Sequence, residues 1–112
     1  MILKTAKINL MYNYKAKLNR IIDGDTVNLT IDLGFRMTMT ANCRLAGINA
    51  PELSTKDGQV SKVFLSNLMT SDVYSIESAK LDKYGRPVVI IGDINKKMVE
   101  AGMAVPYMED KI

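Results

Sequence analysis

Residues 35–45, Phe-Arg-Met-Thr-Met-Thr-Ala-Asn-Cys-Arg-Leu, alternate apolar and polar side chains with a period of two. That period is the signature of a half-buried strand. It puts Phe35, Met37, Met39, Ala41, Cys43 and Leu45 on one face, and Arg36, Thr38, Thr40, Asn42 and Arg44 on the other. Just before it, Asp32-Leu33-Gly34 reads as a hairpin turn, with Gly34 supplying a positive φ. Just after it, Gly47 and Pro51 end the strand. Working back, Val27, Leu29 and Ile31 alternate with Asn28 and Thr30, and Tyr14, Ala16 and Leu18 alternate with Lys15, Lys17 and Asn19. The turn Asp23-Gly24-Asp25 joins these two strands.

Working forward, residues 57–69 change to helical spacing, with Val60, Val63, Phe64 and Leu68 as the apolar stripe. Val73 to Leu81 reads as a fourth strand, Tyr84-Gly85-Arg86-Pro87 as a turn, and Val88 to Ile91 as a short buried strand. Asn95 to Ala101 forms a short helix capped by Gly102. Three meandering strands, a helix, two strands and a short C-terminal helix predict a mainly β domain, a five-stranded OB-type barrel plugged at one end by a helix. An open α+β sheet gives the same string. The expected division is a basic leader over 1–12 and one barrel domain over 13–112.

The chain has 112 residues, 47% hydrophobic and 24% charged, the balance of one globular domain. No apolar run approaches the ~20 residues of a membrane span. Lys4 and Lys7 interrupt the apolar residues of the N-terminus, unlike a secretory signal, so a cytoplasmic location and no membrane partner are expected. Histidine is absent, which removes Ser-His-Asp triads, histidine bases and histidine metal ligands. The single Cys43 excludes an internal disulfide and a cysteine-rich zinc cluster. What remains is carboxylate, arginine, lysine and tyrosine chemistry, and any metal that binds would be a hard, oxygen-ligated one. The net charge is only +3, but residues 1–22 carry Lys4, Lys7, Lys15, Lys17 and Arg20 with no acid. Two readings stand: a lysine-rich edge strand, or a surface that faces a polyanion.

Three clusters carry candidate chemistry. In Asp23-Gly24-Asp25-Thr26, two carboxylates in a glycine turn can converge on a hard cation. In residues 44–52, Arg44 leaves the core face of its strand and the following turn brings Asn49 and Glu52 nearby. Asp82-Lys83-Tyr84-Gly85-Arg86 is a charged turn with a second arginine. Each alone reads as ordinary polar surface. Together they hold the parts of in-line attack on a phosphodiester: a base for the attacking water and positive charge for the phosphate oxygens. Arginine suits the second task because its planar fork matches phosphate and stays charged.

Asp-Gly-Asp-Thr-Val, Arg-Leu-Ala-Gly-Ile-Asn-Ala-Pro-Glu and Asp-Lys-Tyr-Gly-Arg, in this order, resemble the signature blocks of the staphylococcal nuclease (thermonuclease-like) family. The spacing of eight residues from Arg44 to Glu52 is also the family's, and Val-Glu-Ala-Gly-Met-Ala-Val resembles its last common helix and strand. The resemblance runs from about Tyr14 to Tyr107. It implies an OB-type barrel and a Ca²⁺-dependent nuclease that hydrolyses DNA or RNA, taken as single strands. By position, Arg44 and Arg86 would hold the scissile phosphate and Glu52 would be the general base. Asp25, Asn49 and the Ala50 backbone carbonyl would ligate Ca²⁺, with Asp23 contacting it indirectly. Lys83 and Tyr84 match positions that contact a terminal phosphate. With a one-residue gap, Tyr107 matches a tyrosine lining the base pocket.

Asn49 departs from the Asp of the best-known member, and larger members continue past this point into another long helix. A second reading therefore stands beside the enzyme: a catalytically lapsed OB barrel that binds single-stranded nucleic acid. A barrel used for protein contacts is a third. Met37 and Met39, two of eight methionines, read as core filler, and Cys43 as a buried small hydrophobe.

Overall fold

The alternation continues through three long antiparallel strands, β1 (Tyr12–Asp23), β2 (Thr26–Gly34) and β3 (Met37–Leu45). The computed structural model describes residues 11–108. All but the last two residues of the expected leader lie outside that range. After β3 come β4 (Ile48–Asn49), α1 (Lys56–Leu68), β5 (Val73–Leu81), β6 (Pro87–Ile90), α2 (Ile94–Glu100) and β7 (Val105–Pro106).

The five longer strands close into a barrel in the order β1-β2-β3-β6-β5, the OB-type architecture expected. β2 lies between β1 and β3, with Leu29 opposite Leu18 on one side and Ala41 on the other. β5 returns along β1, with Ile76 opposite Tyr14. Closure is a short parallel pairing of β3 and β6, Arg44 with Val88 and Leu45 with Val89. Inward residues Val27, Leu29, Cys43, Leu45, Leu65, Ile76, Val89 and Met98 form the core. Each large apolar side chain buried this fully contributes about 1.5–3 kcal/mol. The Cys43 thiol is buried here as expected, and burial pushes it up to about 11, so it stays protonated and inert. No described helix is long and apolar enough to cross a membrane.

Two expectations about packing are corrected. Phe35 is 98% exposed and Met37 61% exposed, so neither fills the core, and Met39 is only half-buried. The reversal of the chain is at Gly34, Phe35 and Arg36, which all take positive φ. Inward parity there opens onto an unfilled recess, with Tyr12, Tyr14, Leu81 and Pro87 around it, because β6 pairs only with the far end of β3. The helix stripe is the second. Val60 and Val63 are exposed, while Gly58, Ser61 and Leu65 are the buried residues, with Phe64 and Leu68 packed beside the core. Counting apolar residues alone overlooks the small side chains that allow a helix to approach closely.

The two-residue strands β4 and β7, which the periodicity did not predict, pair with each other outside the barrel. Asn95, buried at the start of α2, accepts from the Ile91 amide and donates to the Ala46 and Val89 carbonyls. These ties hold the chain after β3 against the segment ending at Tyr107, whose amide donates to the Gly47 carbonyl at 2.8 Å.

Candidate active site

The β1–β2 turn presents Asp23 and Asp25 at one end of the barrel. The Asp25 amide donates to Asp23 Oδ1 at 3.1 Å. Asp25 Oδ1 accepts from the Thr26 hydroxyl at 3.0 Å, and its Oδ2 accepts from the Ala50 amide at 2.8 Å. Gly24 lies so close to α1 that a Cβ would meet Ser61 Oγ and Ala50 Cβ, so the turn requires glycine. The two carboxyls titrate apart. Burial and the neighbouring Asp25 raise Asp23. Burial also pushes on Asp25, but hydrogen bonds from Asp23 and the Ala50 amide, with the Arg44 charge, outweigh it and hold Asp25 below the usual range.

Arg44 is the buried cation of the site. Its Nη1 lies 2.8 Å from Asp25 Oδ2, and its Nη2 donates to the Ile48 carbonyl at 2.9 Å and to Asn49 Oδ1 at 3.3 Å. Its guanidinium carbon stands 5.4 Å from the centre of the Tyr107 ring, a cation–π contact. β4 thus supplies the Ile48 carbonyl and Asn49, and the residue after β7 supplies the ring.

The β5–β6 turn is ordered by Asp82. Its Oδ1 accepts from the Tyr84 and Arg86 amides, both at 2.9 Å, and its Oδ2 takes Arg86 Nε at 2.7 Å. Arg86 is therefore held by its Nε, so its terminal amino groups are not used by this ion pair. The Tyr84 ring stacks under both cations, 5.3 Å from Lys83 Nζ and 5.4 Å from the Arg86 guanidinium carbon. Burial works against ionisation of Asp82, but the Arg86 and Tyr84 amides and the Arg86 side chain outweigh it, so its carboxyl lies below the ordinary 3.8. The bonds form only to the ionised acid. Their contribution is fully present above 3.8 and is lost as pH falls through the lower folded value. We expect the Asp82 carboxyl carbon to titrate below 3.8 by NMR, with the Arg86 Nε–H losing exchange protection through the same midpoint. A midpoint at or above 3.8 would contradict this geometry.

Glu52 is exposed, and among the described residues no hydrogen bond to its carboxylate is present. Its backbone is tied down instead. The Glu52 carbonyl accepts from the Thr55 amide at 2.9 Å and the Thr55 hydroxyl at 2.6 Å, and that hydroxyl caps α1 by accepting from the Gly58 amide. A Cβ on Gly58 would overlap the Glu52 carbonyl. Gly58→Ala should therefore destabilise the protein by about 1–3 kcal/mol, the usual range for overpacking, and should lower any activity that uses Glu52. Unchanged melting and unchanged activity would show that the loop yields freely.

All of these side chains face one cleft of about 740 Å³. The structure gathers Asp23, Asp25, Arg44, Asn49, Glu52, Lys83, Tyr84, Arg86 and Tyr107 there, every side chain singled out from the sequence. Ala50 meets the cleft's acids through its amide rather than its carbonyl, by the bond to Asp25. Two contributors were missed: Lys80 lines the wall and Gly58 sets the seat of Glu52. Thr26 and Asp82 lay in the quoted clusters without a role; Thr26 binds Asp25 and Asp82 holds Arg86. Lys80 sits at the cleft because β5 ends there, which no local pattern states. A separate recess of about 410 Å³ between the β2–β3 hairpin, β1 and the β5–β6 strands, lined by Tyr12, Tyr14, Leu33, Met39 and Pro87 among others, is mainly apolar and shares only Lys80 and Leu81 with the cleft.

The donors around the acidic turn are all oxygens: two carboxylates, the Thr26 hydroxyl and the Asn49 amide. That chemistry suits a hard divalent cation. No group of three or more acidic, cysteine or histidine side chains placed to hold a metal occurs among the described residues. Water and a phosphate oxygen would have to complete the shell.

Residues 42–111 match the family model described as staphylococcal nuclease homologue. The chain belongs to that family. It is 27% identical over 108 residues to the micrococcal nuclease of Shigella flexneri, an alignment covering 85% of this chain and 59% of that protein. It is 33% identical over 94 residues to an uncharacterized endonuclease of Haemophilus influenzae, covering 80% of this chain and 51% of the other. The chain thus spans between half and three-fifths of the length of these relatives. The family match begins inside β3, so the Asp23–Asp25 turn lies outside the matched segment and reaches the cleft through barrel pairing.

Proposed function

We propose that this chain is a Ca²⁺-dependent phosphodiesterase that hydrolyses single-stranded DNA or RNA by in-line attack of water on the phosphate. One observation carries the reading: two arginines, a free-standing glutamate and a pair of acids, drawn from four separate loops or strands, face a single cleft. Arg44 and Arg86 would bind the non-bridging phosphate oxygens and stabilise the charge that grows on them in the transition state. Losing one such preorganised donor typically costs about 10²–10³ in rate. Glu52 would accept the proton of the attacking water. Its lack of a side-chain partner leaves its oxygens available for that proton. Asp82 acts as a positioning residue by fixing Arg86. Lys83 and Tyr84 would bind a neighbouring phosphate, and Tyr107 would face the base.

Asp25 and Asn49 would hold Ca²⁺, with the Ala50 carbonyl and, less directly, Asp23. The cation, when bound, would polarise the phosphate and favour ionisation of the attacking water. Asn49 offers a neutral oxygen, already shared with Arg44 Nη2. Asn49→Asp adds a charge beside the acidic turn and should tighten Ca²⁺ about tenfold, or ~1.4 kcal/mol. Equal affinities by calorimetric titration would remove Asn49 from the ligand set.

The test is cleavage of a labelled single-stranded oligonucleotide with Ca²⁺, with chelator, and with Glu52→Gln. Cleavage that needs both Ca²⁺ and Glu52 supports the enzyme. Salt-sensitive binding without cleavage at millimolar Ca²⁺ supports instead the lapsed barrel, the reading that the neutral Asn49 favours.

A further inference from the structure

The run of cations in β1 has no place in the cleft, and the barrel removes its simplest explanation. An edge strand gains from lysines because they deter pairing with other chains. β1 is not an edge. It pairs with β2 on one side and with β5 on the other. Lys15 and Lys17 nevertheless line a groove of about 370 Å³ on the outer face of the barrel, where Arg36 joins them from the β2–β3 turn. The single acid of that groove, Asp32, has its Oδ1 bonded to the Gly34 amide at 2.8 Å. Lys15 reaches the Ser75 hydroxyl at 2.8 Å, and no ion pair among the described residues uses Lys15, Lys17 or Arg36. Three cations from two elements thus converge on a recess with one carboxylate, which favours an anion.

The groove lies on the same face as the cleft. Outward residues of β2 and β3 form successive rows: Thr26 with Arg44 at the cleft, then Asn28 with Asn42, Thr30 with Thr40, and Asp32 with Thr38 at the groove. From Thr26 to Asp32 is about 20 Å at ~3.4 Å per residue. The rows between are polar and bonded to one another. Asn28 Nδ2 donates to Asn42 Oδ1 at 2.8 Å, Asn19 bridges Asn28 and Thr30, and the Thr30 and Thr40 hydroxyls meet at 2.9 Å. No apolar residue interrupts this path.

We propose that the outer face of β1, β2 and β3 is a second, non-catalytic binding site, whose groove of Lys15, Lys17 and Arg36 holds the phosphate backbone of a polynucleotide about 20 Å from the scissile bond. The inference rests on the phosphodiesterase reading and sharpens its substrate class to chains of several nucleotides. An OB fold typically covers about 4–16 nucleotides, more than one catalytic cleft requires, and strands two and three with their loops are the usual platform. Binding here is by charge and polar contacts rather than by stacking, since the rows hold no aromatic residue.

The test compares fluorescence anisotropy of labelled single-stranded 12-nucleotide and 3-nucleotide probes across a salt series. The protein is Glu52→Gln with Ca²⁺, with and without Lys15→Gln, Lys17→Gln and Arg36→Gln together. All three positions are exposed, so melting should not change. We expect the Kd for the longer probe to rise about tenfold, and the slope of log Kd against log salt to fall by about 2, as losing three phosphate contacts on a single strand requires. The short probe should bind as before. An unchanged Kd and slope for the longer probe, or equal weakening of both probes, would overturn the second site and leave the cleft intact. A parent protein that binds neither probe would overturn the phosphodiesterase reading as well.

Discussion

Glu52→Gln should lower the rate of oligonucleotide cleavage by about 10²–10⁴-fold, the usual contribution of a positioned general base. It should leave the fold almost untouched. Glu52 is exposed and its carboxylate takes part in no ion pair among the described residues. Surface changes of that kind stay within about 0.5 kcal/mol, which is no more than ~4 °C in melting temperature for a domain of this size. Its position is kept by the backbone bonds to Thr55, which glutamine does not disturb. The substitution therefore separates chemistry from folding. A variant that cleaves within threefold of the parent would remove Glu52 from the mechanism. A large drop in melting temperature would make it structural.

Arg44→Met should do both kinds of damage. Arg44 is 7% exposed and Asp25 8% exposed, with 2.8 Å between Nη1 and Oδ2. Removing one partner of a buried pair leaves an uncompensated charge and typically costs about 3–5 kcal/mol. Asp25 would then stand beside Asp23 without the cation that holds its carboxyl down. The expected loss in melting temperature, measured in chelator, is at least ~12 °C, and cleavage should fall beyond detection if Arg44 binds the phosphate as proposed. A double-mutant cycle with Asp25→Asn isolates the pair, and a coupling of about 1–3 kcal/mol is expected. A single variant within about 1 kcal/mol of the parent would show that water, not the protein, compensates Asp25.

The two corrected packing expectations have a common physical origin. Met37 and the stripe of Val60 and Val63 were assigned to the core by period alone. A period states which residues share a face, but not whether anything lies opposite that face. Met37 lies at the end of β3 that β6 does not reach, and on α1 buried contacts are made by Gly58 and Ser61, which hydrophobic counting ignores. The same limit hid Gly58 as the seat of Glu52. Its signal is a close approach to a carbonyl six positions earlier, visible only once α1 is docked. Conversely, the rows of Asn and Thr on β2 and β3 were correctly read as outward, but their role depends on what stands at each end of the barrel.

The sequence by itself determined the histidine-free chemistry, the strand alternation from Tyr14 to Leu45, the glycine turn between two acids and the three blocks that mark the family. These are properties of neighbours along the chain, set by side-chain chemistry and by periods of two or 3.6. Tertiary structure alone decided that Asp25 pairs with Arg44, that Asp82 holds Arg86, that Tyr107 covers the buried arginine, and that Lys15 and Lys17 lie on a paired strand rather than an edge. Those relations depend on strand register and on closure of β3 against β6, which join residues far apart in sequence through long-range packing that no local period encodes.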